Sequence, residues 1–376
     1  MLRLGEASGE TGAAGRGFSP AVTRGKHPTI YDIARQAGVS AKTVSKVLND
    51  KDGVADETRA RILAIMDEVG YHPHIGARSL RGGGTACIGV TLPVSLEQVP
   101  ISEEVLLWIF ARLLRLFGSR GEYICFDINP SGHAPDRDYA RGLWQQLYRG
   151  CVVAGPLPLN DTTARRIHDW GAPYLVLSRL DGFPELSCAT VDFELGAYES
   201  TRFLIKRGHK RIAMLKAFSG FQPGAERRRG YLRALEEAGI EPDESLIRAV
   251  AFDAQDMTRC VHRLLLDREV TALIDCSVTE DGAALRSGAR RAGRTPGKDI
   301  EVLTWSYCED EAVLPEACAQ LWLPQLDAVG EGFDELAAWF HGDSEGPIRI
   351  VYRPTLLEKV PDNEIASPRR LFTSQP

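Results

Sequence analysis

Residues Thr29–Asn49 read TIYDIARQAGVSAKTVSKVLN, and no other stretch narrows the possible folds as much. Ile30, Ile33, Ala34 and Ala37 recur at i, i+3, i+4 and i+7, the apolar stripe of one helix face. Thr29 precedes that helix with Asp32 three residues on, the spacing of a capping box. Gly38 then supplies a turn, because a left-handed backbone costs glycine nothing. Ser40 is placed to cap a second helix, in which Val44, Val47 and Leu48 point inward. Ala41, Lys42, Ser45, Lys46 and Asn49 are left on the open side. Two short helices around a tight turn set the second into a DNA major groove, and a groove-reading face needs small, polar and basic side chains. By spacing alone, a helical hairpin with a merely solvated basic face gives the same pattern.

Charge separates along the chain in a direction that bears on this choice. The net charge of −6 divides unevenly: residues 1–84 hold 12 Lys and Arg against 9 Asp and Glu, the remainder 33 against 42. A mildly basic head on an acidic body suits a protein that meets phosphates at one end only. At 376 residues the chain exceeds one ordinary core and implies two or three domains. No run of about 18 apolar residues occurs, so no membrane span is expected, and the first twenty residues lack the apolar core of a secretory signal. The eight cysteines show no C-x-x-C and no Cys/His spacing, which excludes a sequence-legible zinc site or disulfide framework. They read as reduced core residues of a cytoplasmic protein.

YDIARQAGVSAKTVSKVLN closely resembles the headpiece of the LacI–GalR family of bacterial transcription regulators, and the resemblance continues through Val54–Leu80. It implies a DNA-binding regulator, a repressor more naturally than an activator, seated as a homodimer on a pseudo-palindromic double-stranded DNA operator. It places Ala41, Lys42 and Lys46 toward base edges, with Thr29, Tyr31, Ser40, Thr43 and Asn49 near phosphates and Ser45 on the same open face. Lysine donates to guanine O6 or N7 as a point charge, without the fork of an arginine.

Residues 1–28, rich in Gly, Ala, Ser and Thr, read as a flexible arm, followed by a headpiece over 29–73. Its third helix is expected over Asp56–Val69, with Ile62, Ile65, Met66 and Val69 on one stripe and Gly70 ending it. Ala55 stands where the family has a capping serine, so Asp56 is expected to take over the cap. Residues 74–84 form a linker by pattern; by resemblance they are the family's hinge, which folds on DNA. Ala77 and Leu80 match its positions for close approach and for an apolar wedge in the minor groove. Such a wedge unstacks one base step at a cost of a few kcal/mol, offset by the contacts the bend allows. Gly76 lowers helix propensity by roughly 1 kcal/mol relative to alanine, which favours a hinge unfolded until DNA arrives.

From 85 to 360 short apolar runs (CIGVTL, YICFDI, CVVAG, YLVLS) alternate with helical stretches at Glu103–Phe117, Arg137–Tyr148 and Asp161–Trp170. A second set follows from Ala189, with helices at Ala225–Ala238 and Asp256–Leu266 and strands at Ile247–Phe252 and Ala272–Cys276. Alternation of this kind implies parallel sheets covered on both faces. VDFELGAYESTRFLIKRGHKRIAML looks like the family's core, so the expected fold is an all-α helix-turn-helix headpiece plus an α/β, two-lobed, periplasmic-binding-protein-like core. Its three lobe crossings are expected near Ser178–Leu186, Ala317–Leu323 and Gly346–Ile350. Glu103–Phe117 is apolar nearly all round; Trp108, Phe110 and Leu114 call for a further cover, a subunit interface or a second core layer. The tail, 361–376, has no heptads and implies no coiled coil.

In the family a small-molecule effector binds between the lobes and modulates DNA affinity. Arg227, in E-R-R-R-G-Y, falls at the family's ligand-binding arginine, and a guanidinium suits hydroxyls, carboxylates or phosphates. Phe252 matches an aromatic position that stacks on ligands, and Ser306 stands where relatives carry an aspartate. By pattern alone Arg227 is equally a surface arginine and Phe252 a core residue. Relatives carry Asn-Asp where this chain has Ser277-Val278, and Gly-Tyr-Asp-Asp where it has Thr304-Trp305-Ser306-Tyr307. The usual Asn-Pro-Phe-Phe-like segment is replaced by Leu96–Pro100. These losses remove the groups that hold neutral sugars and imply an atypical effector, anionic or aromatic, or a lost response.

The alternative is a ligand-binding module without regulatory DNA binding, against which the headpiece counts. For an enzyme there is no G-x-S-x-G, no Walker loop, no G-x-G-x-x-G after a strand and no metal spacing; no catalytic residue, cofactor or metal is expected. Leu80→Ala should weaken operator binding far more than non-specific binding in gel-shift titrations; equal loss on both contradicts the wedge.

Overall fold

The computed structural model describes residues 28–48, 51–71, 87–93, 103–127, 138–217, 220–250, 253–277, 282–309 and 314–358. The chain divides into two compact units at Gly83–Gly84.

The first unit holds α1 (Ile30–Ala37), α2 (Ala41–Leu48) and α3 (Asp56–Glu68). Ile33, Ala34, Ala37, Val44, Val47 and Ile62 make its buried core, closed by half-buried Ile65, Met66 and Val69 as the stripe implied. Val54 and Tyr71, which flank α3, join that core. Ala55 is the N-cap of α3 and makes no side-chain cap bond; Asp56 and Glu57 instead put negative charge into the first turn, where the helix dipole favours it.

The second unit is two six-stranded sheets. The first is ordered β11-β5-β4-β3-β1-β2 and wholly parallel. Its strands are β1 (Cys87–Thr91), β2 (Tyr123–Asp127), β3 (Gly150–Val153), β4 (Tyr174–Val176), β5 (Cys188–Val191) and β11 (Arg349–Tyr352). The second is ordered β12-β10-β9-β8-β6-β7, parallel except for the β10–β12 pair. It comprises β6 (Ile212–Lys216), β7 (Ile247–Ala249), β8 (Ala272–Cys276), β9 (Glu301–Ser306), β10 (Ala319–Trp322) and β12 (Thr355–Glu358). Covering helices are α4 (Glu103–Leu116), α5 (Arg141–Trp144), α6 (Thr163–Trp170), α7 (Phe193–Lys206), α8 (Gln222–Glu237), α9 (Ala254–Leu265), α10 (Ala283–Arg291) and α11 (Gln325–His341). The central strands β1, β3, β4, β5, β6, β8 and β9 are largely buried because helices lie on both faces, which is why they read as continuous apolar runs.

The second crossing between lobes falls at the end of the expected stretch Ala317–Leu323, while the first and third differ from the expected ones. The chain passes to the second sheet just after β5, returns after β10 at Leu323–Pro324, and crosses again between β11 and β12 at Arg353–Pro354. Residues 178–186 are instead a loop between β4 and β5, and 349–352 pair with β5. The helix expected over Arg137–Tyr148 is only one turn, Arg141–Trp144. Gln146 takes a positive φ of 56°, and the chain turns so that the Tyr148 ring packs under Gly89 and Gly142, where a Cβ would collide with it. Helix α8 begins three residues earlier than expected, with proline at its start, the position where a missing N–H costs nothing.

On α4, Ile109 and Leu113 face the first-lobe core while Leu107, Phe110 and Leu114 stay exposed. Trp108 does not belong to that surplus: it packs inward, its ring 6.2 Å from Phe333. Phe110 meets Phe126 of the edge strand β2 at 5.9 Å, and Tyr123 and Phe126 are themselves exposed. An apolar surface of this kind on a sheet edge and its neighbouring helix marks an interaction face.

Candidate DNA-binding headpiece and effector cleft

The headpiece turn is built as the local sequence dictates. The Thr29 amide donates to Asp32 Oδ2 at 2.9 Å and the Asp32 amide to Thr29 Oγ1 at 3.4 Å, completing the capping box. Arg35 holds the other Asp32 oxygen at 2.8 Å. Gly38 ends α1 in the left-handed region at φ 65°, its N–H returning to Ala34 and Arg35 carbonyls. Ser40 Oγ accepts the Thr43 amide at 3.1 Å, satisfying one of the free donors that begin α2. Of the residues expected at DNA, Thr29, Ser40 and Lys42 are exposed, and Tyr31 stands 70% exposed on α1. Thr43, Ser45 and Lys46 are half-buried. Ala41 sits against the small core rather than wholly outside it. The Lys46 ammonium lies back over the loop, 3.3 Å from where a Cβ on Gly53 would stand. Asn49, Ala77 and Leu80 lie outside the described residues.

In the second unit, α8 presents different faces to the two lobes. The Gln222 amide donates to the Leu157 carbonyl at 2.9 Å and its Nε2 to Leu159 at 3.3 Å, while the Leu159 amide donates to Gly220. Glu226, four residues on, takes a two-pronged contact from Arg179, at 2.7 Å from Nη2 and 3.3 Å from Nε. Arg179 also reaches Asp192, at the first crossing, at 3.1 Å. Burial pushes the Glu226 carboxyl above its ordinary pKa against the opposing pull of Arg179. A third tie joins Arg229 to Asp181 at 2.6 Å.

Arg227 turns the other way, onto the second sheet, and is 0% exposed. Its guanidinium carbon lies 4.5 Å from the Phe193 ring centre and 5.2 Å from that of Trp305. Those two rings are near parallel, 10° apart at 6.4 Å, and the Trp305 indole N–H donates to Ser200 at 3.1 Å. Cation–π contact of this kind contributes about 0.5–2 kcal/mol when desolvated. Burial lowers the Arg227 pKa. Arg227 is therefore a buried residue, which removes the surface alternative. Ser306 is buried and its Oγ accepts the Cys308 amide at 2.9 Å. Ser277 closes on Asp275 through both its amide and its hydroxyl. Phe252 and Val278 fall outside the described residues. Sequence reasoning missed Gln222, Glu226, Arg179, Phe193 and Trp305. The i, i+4 pair Gln222/Glu226, on a different side of the helix from Arg227 (about 100° round from Glu226), was the available signal.

The family models match the two units separately. Residues 29–74 match the bacterial regulatory proteins of the lacI family, and residues 119–302 the periplasmic binding proteins and sugar binding domain of the LacI family. The regulator CelR of Thermobifida fusca is 30% identical over 349 residues, covering 89% of this chain and 98% of that protein. The chain belongs to the LacI family of bacterial regulatory proteins. The regulator DegA of Bacillus subtilis is 26% identical over 88% of this LacI-family chain and 96% of its own length. Among solved structures, the lac repressor dimer bound to operator and the anti-inducer ONPF superimposes with a TM-score of 0.66, at 22% identity over 89% of this chain and 98% of that one. A CelR–cellobiose complex superimposes at 0.59, 26% identical, over 88% and 98%. With headpiece and core both matched, this LacI-family chain is a DNA-binding transcription regulator.

Breaking a buried ion pair by removing one partner costs about 3–5 kcal/mol. Glu226→Ala should fall near the lower end of that range in urea unfolding, because Arg179 keeps Asp192; adding Arg179→Met should recover part of the loss. A loss indistinguishable from that of an exposed pair such as Arg259–Asp256 contradicts the role assigned to it.

Proposed function

We propose that this regulator represses transcription as a homodimer whose two headpieces occupy the half-sites of a pseudo-palindromic operator. The observation that carries this reading is the turn between α1 and α2, made by Gly38 and followed by the Ser40 cap, with α1 itself capped at Thr29/Asp32, which leaves Lys42 and Tyr31 exposed on the outer surface. In this reading Lys42 and Lys46 reach base edges beside Ala41, with Ser45 next to them. Thr29, Tyr31, Ser40, Thr43 and Asn49 meet phosphates, which position the protein without reading sequence. Ala77 and Leu80 serve the hinge. Leu107, Phe110, Leu114, Tyr123 and Phe126 supply the apolar surface for dimerisation, consistent with the lac repressor's being a dimer on its operator.

The cleft beside Arg227, Phe252 and Ser306 takes a small-molecule effector, as CelR takes cellobiose. Domain limits follow: an arm over 1–28, headpiece 29–73, hinge 74–84, core 85–360, tail 361–376. We read the protein as non-catalytic and acting in the cytoplasm with the rest of its family. Lys46 is folded back over Gly53, so Lys42 carries more of the base discrimination. Lys42→Ala should cost about 1–3 kcal/mol on operator DNA and relax sequence preference, read by fluorescence anisotropy on operator and scrambled duplexes. An unchanged preference removes Lys42 from base reading.

A further inference from the structure

The second sheet carries a buried carboxylate that no described cation answers. Asp275, on β8, is 2% exposed. Side chains alternate along a strand, so it shares a face with Leu273. That face belongs to the apolar layer under α9 and α10, with Leu215 and Val302. In register, Asp275 stands between Leu215 of β6 and Thr304 of β9. Its bonds come from Ser277, the amide at 2.9 Å and the hydroxyl at 2.5 Å, and both end on the same oxygen, Oδ1. Among the described residues no Lys, Arg or His pairs with it. The chain beyond β8 and β9 has no basic side chain to offer in residues 278–281 or 310–313.

Thr304 is as deeply placed, 1% exposed, and its hydroxyl oxygen has no hydrogen-bond partner. By the same alternation it shares a face with Val302, and adjacent strands stand about 4.8 Å apart. The carboxylate and the hydroxyl are therefore neighbours across one strand spacing that do not bond each other. A hydrogen bond would draw two such oxygens to about 2.7 Å. Oxygens that share a metal ion stand farther apart, each about 2.3–2.6 Å from the ion in calcium sites. Burying an ionised carboxylate without a partner is costly, and burial pushes the Asp275 carboxyl above its ordinary pKa, against the two bonds from Ser277. A proton would neutralise the carboxyl alone. A cation held between the two oxygens neutralises it and satisfies the Thr304 hydroxyl together.

We propose that Asp275 Oδ2 and Thr304 Oγ1 bind a monovalent metal cation, potassium or sodium. Oxygen donors select hard cations, and one carboxylate balances one positive charge in a layer that is otherwise apolar. The ion ties β8 to β9 two residues before Ser277 and Ser306, where both strands end.

The test is thermal unfolding of the full chain, dialysed into a tetramethylammonium buffer, with the chloride of potassium, sodium, tetramethylammonium, magnesium or calcium at matched ionic strength. An ion that binds only the folded chain raises its Tm. Potassium or sodium should therefore raise the wild-type Tm saturably, and tetramethylammonium should not. Asp275→Asn and Thr304→Val, each close in shape to the native side chain, should lose that rise or need roughly tenfold more salt, a loss of about 1.4 kcal/mol in binding. Sodium NMR gives a second readout: the wild type should broaden the line more than Asp275→Asn does, and potassium should reverse the difference. Should Asp275→Asn fail to fold, Thr304→Val carries both comparisons. Equal Tm values in potassium, sodium and tetramethylammonium overturn the proposal, and so does an undiminished rise in the variants. A response to magnesium or calcium alone overturns the monovalent assignment. An Asp275→Asn chain more stable than the wild type in every salt marks a carboxyl that no ion serves, which overturns it as well.

Discussion

Helix α8 is shared by the two lobes, and the paired charges of Arg179 and Glu226 hold it in that position. Gln222 and Glu226 lie on one side of the helix and are bonded from the first lobe, while Arg227 and Tyr231 lie on the other and seat on the second sheet. The helix is pinned to its own lobe as tightly: a Cβ on Gly230 would stand 2.0 Å from the Glu194 carbonyl of α7. Two side chains of adjacent number therefore answer to different lobes.

The site departs from a sugar pocket in its chemistry more than in its frame. The carboxylates expected to receive hydroxyls are replaced by Ser306 and Tyr307, and Ser306 spends its oxygen on the Cys308 amide. What gathers around Arg227 instead is the stacked pair of rings of Phe193 and Trp305.

Legibility from the sequence followed the range of the interactions. The headpiece turn was readable because capping boxes, left-handed glycines and serine caps are decided within four residues. Alternating strands and helices were readable for the same reason. The first and third lobe crossings were not, because only sheet pairing shows that Cys188–Val191 and Arg349–Tyr352 still belong to the first sheet. Trp108 was misplaced because a helix apolar on every side does not say which face meets Phe333. The one-turn helix at Arg141 was overextended because the seating of the Tyr148 ring against Gly142 and the distant Gly89 leaves no trace in periodicity. Arg227 was found by its motif, but its burial and its aromatic partners depend on Phe193 and Trp305, far apart in sequence.

Everything about the core gains its meaning from a head that reads DNA. The most direct measurement is footprinting of the full-length protein on its own upstream DNA at about 150 mM salt, where exposed charge attraction is largely screened. The account predicts a protected site of two half-sites related by a twofold axis, centred roughly one helical turn of about 10 base pairs apart. Uniform, salt-sensitive coverage without a protected site would contradict it.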